Sequence, residues 1–432
     1  MRAPTAEIRF QPDDGPLPLF LVSLLVQKFG GTSVADPDRM RAVADYVARC
    51  RRRGDQVALV VSAMGKETDD LIHIASQISK KPDGREMDML ITAGERKAIA
   101  LMSMALGELG VPAISFTGSQ AGFNTDGNHQ NAKILEIKPF RIRESLESGV
   151  VPVIAGSQGV SPEKNVTFLG RGGSDTTAVA LAKALGAASC ELFTDVSGVF
   201  TADPRVVPRA TKMSSISFDE LLEMTATGCP KPAMRSVEVA HNHKVPLHIR
   251  SAFTWEPGTL VVDDTSQLAV ENPMEQPIIR AVTHDLSESK ITVADVPDKP
   301  GISATLFRAL AEAGVNVDMI VQNVSEQGNT DISFTVPSED ANRAHKLVAG
   351  DIVGRIGGQV MPLDPNIGKV SVIGAGMKSN PGVAATMFET LADNGINIEM
   401  ISTSAIRISC VVNADRAEEA VQLLHTAYGL DS

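Results

Sequence analysis

A glycine-rich segment in the middle of the chain, Gly170-Arg-Gly-Gly-Ser-Asp-Thr-Thr177, combines a cation, side-chain-free backbone, hydroxyls and a carboxylate. This mixture suits an anionic ligand, because guanidinium and backbone N–H groups both bind oxyanions. Alone, such a segment is explained equally well by an ordinary turn. A second segment, Val26-Gln-Lys-Phe-Gly-Gly-Thr-Ser33, follows an apolar run near the start of the chain. Together they predict an enzyme with two loops that bind phosphate or carboxylate groups.

The composition favours an ordinary globular protein of two or three domains, since the chain has 432 residues, 43% of them hydrophobic. Aromatic residues are only 4% and the net charge is −12, which argues against a nucleic-acid partner. The four cysteines lack the spacing of a zinc site or a disulfide framework, so we expect free thiols and a cytoplasmic location.

The start of the chain, residues 1–23, is predicted to be a loosely ordered extension that is rich in Pro and Asp. The apolar run from Pro16 to Val26 is too short to cross a bilayer and has almost no preceding positive charge. We therefore expect no membrane partner.

Short β-rich runs alternate with helical stretches from Leu24 onward, which predicts a mostly parallel sheet covered on both faces by helices. The predicted strands are 24–29, 57–62, 151–155 and 191–194, and the predicted helices are 38–53, 93–109 and 176–185. Ligands of such sheets bind beyond the carboxyl ends of the strands. Gly30, Ser62 and Asp195 are therefore expected at one edge of the sheet.

An internal repeat occupies the C-terminal part, where residues 300–316 match residues 381–397. In both copies a Pro-Gly start precedes apolar residues at helical spacing, and strands flank the helix. Each copy predicts a β-α-β-β module, and two modules can bury a shared face. The Pro-containing polar residues 265–279 predict a linker ahead of them.

Several motifs in this order strongly resemble the aspartate kinase family, from about residue 24 to the end of the chain. They are Lys28-Phe-Gly-Gly-Thr-Ser33, Gly94-Glu-Arg96, Gly170-Arg-Gly-Gly-Ser-Asp175, the segment 194–205 and the Pro-Gly repeats. The resemblance implies an α/β amino-acid-kinase fold over residues 24–264, followed by two ferredoxin-like ACT modules over 280–350 and 351–432. It also implies phosphoryl transfer from Mg-ATP to the side-chain carboxylate of L-aspartate, giving 4-phospho-L-aspartate for lysine, threonine and methionine synthesis.

The chemistry of that reaction explains the residue types. The attacking carboxylate is already ionised, so the difficulty is to bring two anions together. By resemblance, Lys28 would neutralise the transferred phosphoryl group, and Asp175 would orient Lys28 or the substrate amine. Arg171 suits a two-pronged contact with the substrate α-carboxylate, and Glu95 would receive the substrate ammonium.

The resemblance implies further binding residues. The other substrate-binding candidates are Ser62, Thr68, Gly172, Gly173 and Ser174; the ATP-binding candidates are Lys28, Phe29, Gly30, Gly31, Thr194, Asp195, Phe200, Arg205 and Lys231. The glycines would let backbone N–H groups approach the phosphates closely. Mg²⁺ would be held mainly by the ATP phosphates, and no metal-ligand set is predicted in the chain itself. As alternatives, Glu95 serves only the helix dipole and Thr68 only caps a helix beginning near Asp69.

For the regulatory half, the resemblance implies binding of lysine, threonine or both, and a homo-oligomer formed through the ACT modules. The matching effector positions are Asp298, Gly301, Asn316, Asp318, Gln322, Val383, Asn397 and Ser404. As alternatives, Asn316 and Asn397 are turn residues and Asp298 caps a helix. Met274 lies where some family members start a separate regulatory subunit.

Two positions depart from the family pattern. Pro230 stands where relatives usually carry a lysine that touches ATP, and Lys231 follows one position later. Such a shift normally turns a side chain well away, and the flanking prolines restrict the backbone. Ala405 stands where a glutamate is common. Pro230 leaves one alternative open, a non-catalytic or weakly active amino-acid-sensing paralogue. A second alternative is a kinase for another small acidic amino acid, since related folds phosphorylate glutamate or acetylglutamate.

Overall fold

The computed structural model describes residues 23–263, 279–323, 328–375, 377, 380 and 382–431. Nearly all of the predicted extension and of the predicted linker, Met274 included, lies outside the described residues. Within these ranges no helix has the length and apolar character needed to cross a membrane.

An eight-stranded sheet forms the centre of the N-terminal domain. In spatial order its strands are Ser215–Ser217 (β10), Thr259–Val262 (β12), Leu247–Ser251 (β11), Ser189–Thr194 (β9), Leu24–Phe29 (β1), Gln56–Val61 (β2), Val151–Ala155 (β6) and Ala113–Phe116 (β3). All neighbours pair in parallel except β11 and β12. The predicted, mostly parallel sheet is confirmed.

Helices cover both faces of this sheet. The helices of this domain are Pro37–Arg52 (α1), Glu67–Ile78 (α2), Gly84–Ile91 (α3), Ala93–Glu108 (α4), Phe140–Glu147 (α5), Gly173–Leu185 (α6), Phe218–Ala226 (α7) and Met234–His243 (α8). Of these, α2 and α3 pack on each other and on Phe168 rather than on this sheet. Strand β2 shows why two faces are needed: Leu59 packs with α1 and α4, whereas its neighbours Ala58 and Val60 pack with α5 and α6. Successive strand residues point to opposite faces, so an all-apolar strand must be buried on both.

A smaller sheet lies beside the main one and leads into the second glycine-rich loop. Its strands are, in spatial order, Ile134–Ile137 (β5), Phe123–Thr125 (β4), Gln158–Val160 (β7) and Val166–Phe168 (β8). Strand β8 ends just before Gly170, and α6 begins just after Gly172. The loop is thus fixed at both ends by regular structure.

Two four-stranded antiparallel sheets form the C-terminal half, as predicted for ACT modules. The first contains Ile320–Gln322 (β15), Asn329–Pro337 (β16), Glu288–Pro297 (β14) and Gln359–Val360 (β17); the second contains Met400–Thr403 (β19), Arg407–Asn413 (β20), Ile367–Ile373 (β18) and Ala281–Asp285 (β13). Their helices are Ile302–Glu312 (α9), Ser338–Leu347 (α10), Val353–Ile356 (α11), Val383–Asp393 (α12) and Ala414–Ala427 (α13).

The two sheets do not follow the division predicted at residues 350 and 351. Strand β13 precedes the first repeat but pairs with β18 of the second, whereas β17 lies beyond residue 350 and pairs with β14 of the first. Each repeat supplies three strands, and its sheet is completed by a strand from outside the repeat. The modules are therefore interleaved.

Candidate active site

Three parallel strands end together at the predicted edge of the main sheet. Phe29 at the end of β1 is in register with Val61 of β2 and Phe193 of β9. The backbone N–H of Ser62 donates to the Phe29 carbonyl at 3.1 Å. Gly30, Ser62 and Asp195 follow these strand ends, so the structure brings them to one edge as predicted.

A buried ion pair lies at this edge. Lys28 Nζ is 2.5 Å from Asp175 Oδ1, and the two side chains are only 11% and 8% exposed. The other oxygen, Asp175 Oδ2, accepts the backbone N–H of Ala233 at 3.1 Å. Asp175 lies in the first turn of α6, where the positive end of the helix dipole favours anions. The ammonium of Lys28 is therefore held beside the N-terminal end of α6.

Glycine is required at two places around this pair. A Cβ on Gly31 would lie 2.9 Å from the carbonyl oxygens of both Ala63 and Gly65. Gly172 has a φ of 70°, and a Cβ there would lie 2.4 Å from the Cβ of Ala233. Both loops therefore pass so close to other segments that no side chain fits.

Ser174 is buried in the first turn of α6, and its hydroxyl lies 2.9 Å from that of Ser157. A Cβ on Gly173 would lie 3.0 Å from the same Ser157 hydroxyl. Sequence reasoning missed Ser157, although its position two residues after β6 places it at the same edge as the other candidates.

Glu95 is buried in the first turn of α4, with only 3% of its surface exposed. Burial raises the pKa of its carboxyl to about 7, with a further rise from nearby Glu67, although backbone hydrogen bonds from Glu95 itself and Ala63 oppose this. Its Oε2 has no hydrogen-bond partner. A buried acceptor with unused capacity suits a substrate ammonium better than a purely structural helix-end acid does.

Thr68 and Arg171 lie on the outer side of the site. Helix α2 begins at Glu67, so Thr68 is inside its first turn and the alternative that Thr68 caps the helix is wrong. The side chain of Arg171 is 89% exposed, with Nη2 at 3.8 Å from Asp69 Oδ1. Arg171 thus lies near α2 but in solvent, in contrast to the buried Lys28.

A cavity of about 440 Å³ opens beyond the end of β9. Four ATP-binding candidates line it: Asp195, Phe200, Arg205 and Lys231. The ring of Phe29 instead stacks on Phe193 in the core, with ring centroids 4.6 Å apart. The Thr194 hydroxyl is engaged locally, where it accepts the N–H of Val196 at 3.1 Å.

Lys231 reaches into this cavity despite its shifted position. Its Nζ lies 2.5 Å from Asp195 Oδ1, and Pro230 forms another part of the lining. Partial burial would raise the pKa of Asp195, but the hydrogen bond and the charge of Lys231 outweigh it, so the net pKa is lowered. The proline therefore does not remove the cation from the cavity.

Some residues that line the cavity were not predicted from the sequence. Asp203 pairs with Arg205 through an Oδ2–Nη2 contact of 2.6 Å. Thr283 and His284 line the cavity from β13, which belongs to the second ACT sheet. Nothing in the sequence indicated that a strand beyond the linker would reach the first domain.

Three of the predicted effector residues contact different parts of the structure. Gln322 lies next to the start of α9, because Ser303 donates a hydrogen bond to its Oε1 at 2.9 Å. Ser404 instead donates to Glu223 Oε1 on α7 at 3.1 Å, and Asp318 Oδ2 lies 2.5 Å from Lys369 Nζ.

The remaining effector positions lie near the helix starts and the loops. Asp298, Asn316 and Asn397 are exposed, and Val383 is buried at the start of α12. Helix α9 is capped by Gly301, with a φ of 96°, so the alternative that Asp298 caps it is wrong. No group of three His, Cys, Asp or Glu side chains that would hold a metal occurs in the described part of the chain.

Comparison with known proteins gives two family matches. The Amino acid kinase family matches residues 23–251, and the ACT domain matches residues 279–350 and 370–428. The aspartokinase of Mycolicibacterium smegmatis is 51% identical over 412 residues, covering 95% of this chain and 97% of that protein.

Solved structures of E. coli aspartokinase III are similar over both halves of the chain. The R-state complex with aspartate and ADP superposes with a TM-score of 0.78 at 25% identity, covering 94% of this chain and 99% of that one. The T-state complex with lysine and aspartate has a TM-score of 0.69, with the same identity and coverage. The fold of both halves is therefore shared with these structures.

Proposed function

Since this chain belongs to the aspartokinase family and is an aspartate kinase, we propose that its buried Lys28–Asp175 pair carries phosphoryl transfer. The enzyme transfers the γ-phosphoryl group of ATP to the side-chain carboxylate of L-aspartate. A carboxylate oxygen forms the new O–P bond, the bond to the β-phosphate oxygen breaks, and ADP leaves. No proton needs to be removed from the nucleophile.

Lys28 neutralises charge during this transfer. Its ammonium is held by Asp175 and by burial, so it does not have to reorganise when charge shifts towards ADP. The N–H groups at the start of α6 and in the Gly30-Gly31 loop add fixed dipoles. The reaction then depends on holding the two anions in line.

Aspartate binds on the side of Glu95. The Glu95 carboxylate accepts the substrate ammonium, and Arg171 binds the α-carboxylate as a mobile surface guanidinium. Ser62, Thr68 and Ser174 supply neutral hydrogen bonds. The unpartnered Oε2 of Glu95 supports this assignment, together with the position of Ser62 directly after β2.

ATP binds in the cavity beyond β9. Phe200 offers an aromatic wall, while Arg205 and Lys231 offer cations to the phosphates. The donor set fits a polyphosphate, and the carboxylates of Asp195 and Asp203 already have cationic partners. Mg²⁺ is therefore held mainly by the phosphates, where it neutralises charge.

The nature of the acceptor is tested by a hydroxamate assay with ATP and aspartate, glutamate or N-acetylglutamate. We expect aspartyl hydroxamate only, and a decrease in kcat of about 10²–10³-fold for Lys28→Met, the range found when one oxyanion donor is removed. Lys183→Met, at an exposed position on α6, is the matched control. Turnover of glutamate would support the other acidic amino acid, and no product with any acceptor would support the sensing paralogue.

Feedback regulation acts through the ACT modules, with lysine, threonine or both as effectors and a homo-oligomer as the working unit. The hydrogen bond from Ser404 to Glu223 joins the second ACT sheet to α7, and the ion pair of Asp318 with Lys369 joins the two modules. These contacts give the modules a defined position, which an effector can change. The same assay with added lysine and threonine tests the effectors. A shorter second band from the native gene would support a regulatory subunit that starts at Met274.

A further inference from the structure

The strand that completes the second ACT sheet also touches the nucleotide cavity. Strand β13 is hydrogen-bonded to β18 along its whole length, so it belongs to the regulatory half. Two of its residues, Thr283 and His284, nevertheless line the cavity together with Asp195, Phe200 and Lys231. One wall of the cavity is therefore built from the other domain.

The contact between β13 and the loop before Lys231 is close. A Cβ on Gly228 would lie 1.8 Å from the His284 carbonyl oxygen, and Gly228 has a φ of 110°. The neighbouring hydroxyls of Thr227 and Thr283 are 2.7 Å apart and buried. Two backbones that touch in this way leave no room for water or for sliding, so the loop with Lys231 is held directly by β13.

A second segment of the cavity lining is bonded to the same module. The N–H of Val282 on β13 donates to the Thr201 carbonyl at 2.8 Å, and Thr201 stands between the cavity residues Phe200 and Ala202. The Thr201 hydroxyl also lies 2.8 Å from Nε2 of His425 on α13, a side chain with no exposed surface. The second ACT module thus contacts two segments of the first domain that line the cavity.

Among the cavity residues of β13, His284 has the side chain best suited to a nucleotide. It is half-buried and lines the cavity together with Asp203, the carboxylate that holds Arg205. An imidazole donates to phosphate oxygens or stacks on a base, whereas Thr283 is already bonded to Thr227.

We propose that His284 binds the nucleotide directly, so that the second ACT sheet supplies a residue of the ATP site. This inference rests on the proposed ATP site, which it extends across the domain boundary. Any change that moves β13 relative to β9 then alters nucleotide affinity, and by reciprocity ADP alters the position of the sheet.

The test compares His284→Ala with His243→Ala, whose exposed histidine on α8 is the matched control. We expect the Kd for ADP from titration calorimetry, and the KM for ATP, to rise about tenfold in His284→Ala, the lower range for a hydrogen bond to a charged group. The KM for aspartate and all constants of His243→Ala should stay at wild-type values. An unchanged Kd for ADP in His284→Ala overturns the proposal.

A second measurement uses the unaltered full-length protein. Carbethoxylation of histidines, read by peptide mass spectrometry, should decrease at His284 and not at His243 when ADP is saturating. Equal labelling of His284 with and without ADP overturns the proposal even if His284→Ala does not fold. Failure of the proposed function looks different, because the wild-type protein would then bind no ADP in the calorimeter.

Discussion

Lys369 on the second ACT repeat holds Asp318 of the first, with 2.5 Å between Nζ and Oδ2, and it also lies 2.7 Å from Glu288 Oε1. Its side chain is only 1% exposed. A matching contact runs in the other direction, since Lys290 of the first repeat pairs with Glu399 of the second. Each module thus gives a lysine to a carboxylate of the other, and Asp318 is committed to this contact before any effector binds.

Replacing Lys369 should loosen the two modules. Lys369→Met leaves Glu288 buried beside Asp318 with no cation, and we expect the free energy of unfolding to fall by about 2–4 kcal/mol, measured by urea denaturation. Lys290→Met is the control at the equivalent position. Its side chain is 19% exposed, so we expect a loss of about 1 kcal/mol or less. Equal losses in both variants would contradict this account of Lys369.

Aspartate binding should depend on pH through Glu95. Its pKa in the free enzyme is raised to about 7 by burial, so the carboxyl is protonated below that pH and cannot pair with the substrate ammonium. The substrate itself keeps its charges between pH 6 and 8. We expect the KM for aspartate to rise about tenfold from pH 8 to pH 6, and aspartate binding near pH 7 to release protons. Calorimetry in buffers of different ionisation enthalpy measures that release.

The Glu95→Gln variant separates this effect from other titrations. It should raise the KM for aspartate about 30-fold at pH 8, because one hydrogen bond to a charged group is lost. The KM for aspartate should then no longer change with pH. Glu108→Gln, at the exposed end of the same helix, should keep the wild-type profile. A pH-dependent KM that persists in Glu95→Gln would assign the titration to another group.

The sequence was sufficient for the local elements because their signals are local. The predicted strand 24–29 is β1 without change, and the predicted helix 93–109 differs from α4 by one residue. The repeat likewise revealed both βαββ units. It could not reveal that β13 completes the second sheet, because strand pairing over such a distance in sequence leaves no periodic signal within β13 itself.

The residues of the candidate site show the same difference between local motifs and long-range contacts. Lys28, Asp175 and Gly30 were predicted from motifs, and the structure brings them together. His284 could not be found, since its role depends on a domain contact and its own segment carries no motif. For Arg171 the motif was clear, but the residue type alone does not predict its exposed position near Asp69.

Gly31 offers a steric test of the first loop. In Gly31→Ala the new Cβ meets two backbone oxygens, which do not move as a flexible side chain would, so the loop must shift. We expect a stability loss of about 1–3 kcal/mol and a decrease in kcat of about 100-fold, from overpacking and from misplaced phosphate donors. Gly107→Ala on α4 is the control, because its Cβ would meet nothing within 4 Å and should stabilise the helix. Full activity of Gly31→Ala would refute the need for a side-chain-free position.

Replacing Lys231 tests whether the enzyme still has a lysine that binds ATP, although Pro230 stands at the usual lysine position. In the free enzyme Lys231 neutralises Asp195 inside the cavity, so Lys231→Met removes a cation and also leaves a carboxylate facing the incoming phosphates. Both effects oppose polyphosphate binding, and solvent screens them because Lys231 is 40% exposed. We expect the KM for ATP to rise about tenfold, with the KM for aspartate unchanged. The exposed Lys183→Met should match the wild type in initial-rate kinetics with ATP varied. A KM for ATP within twofold of wild type in Lys231→Met would mean that the displaced lysine takes no part, and that this enzyme binds ATP without the cation its relatives use.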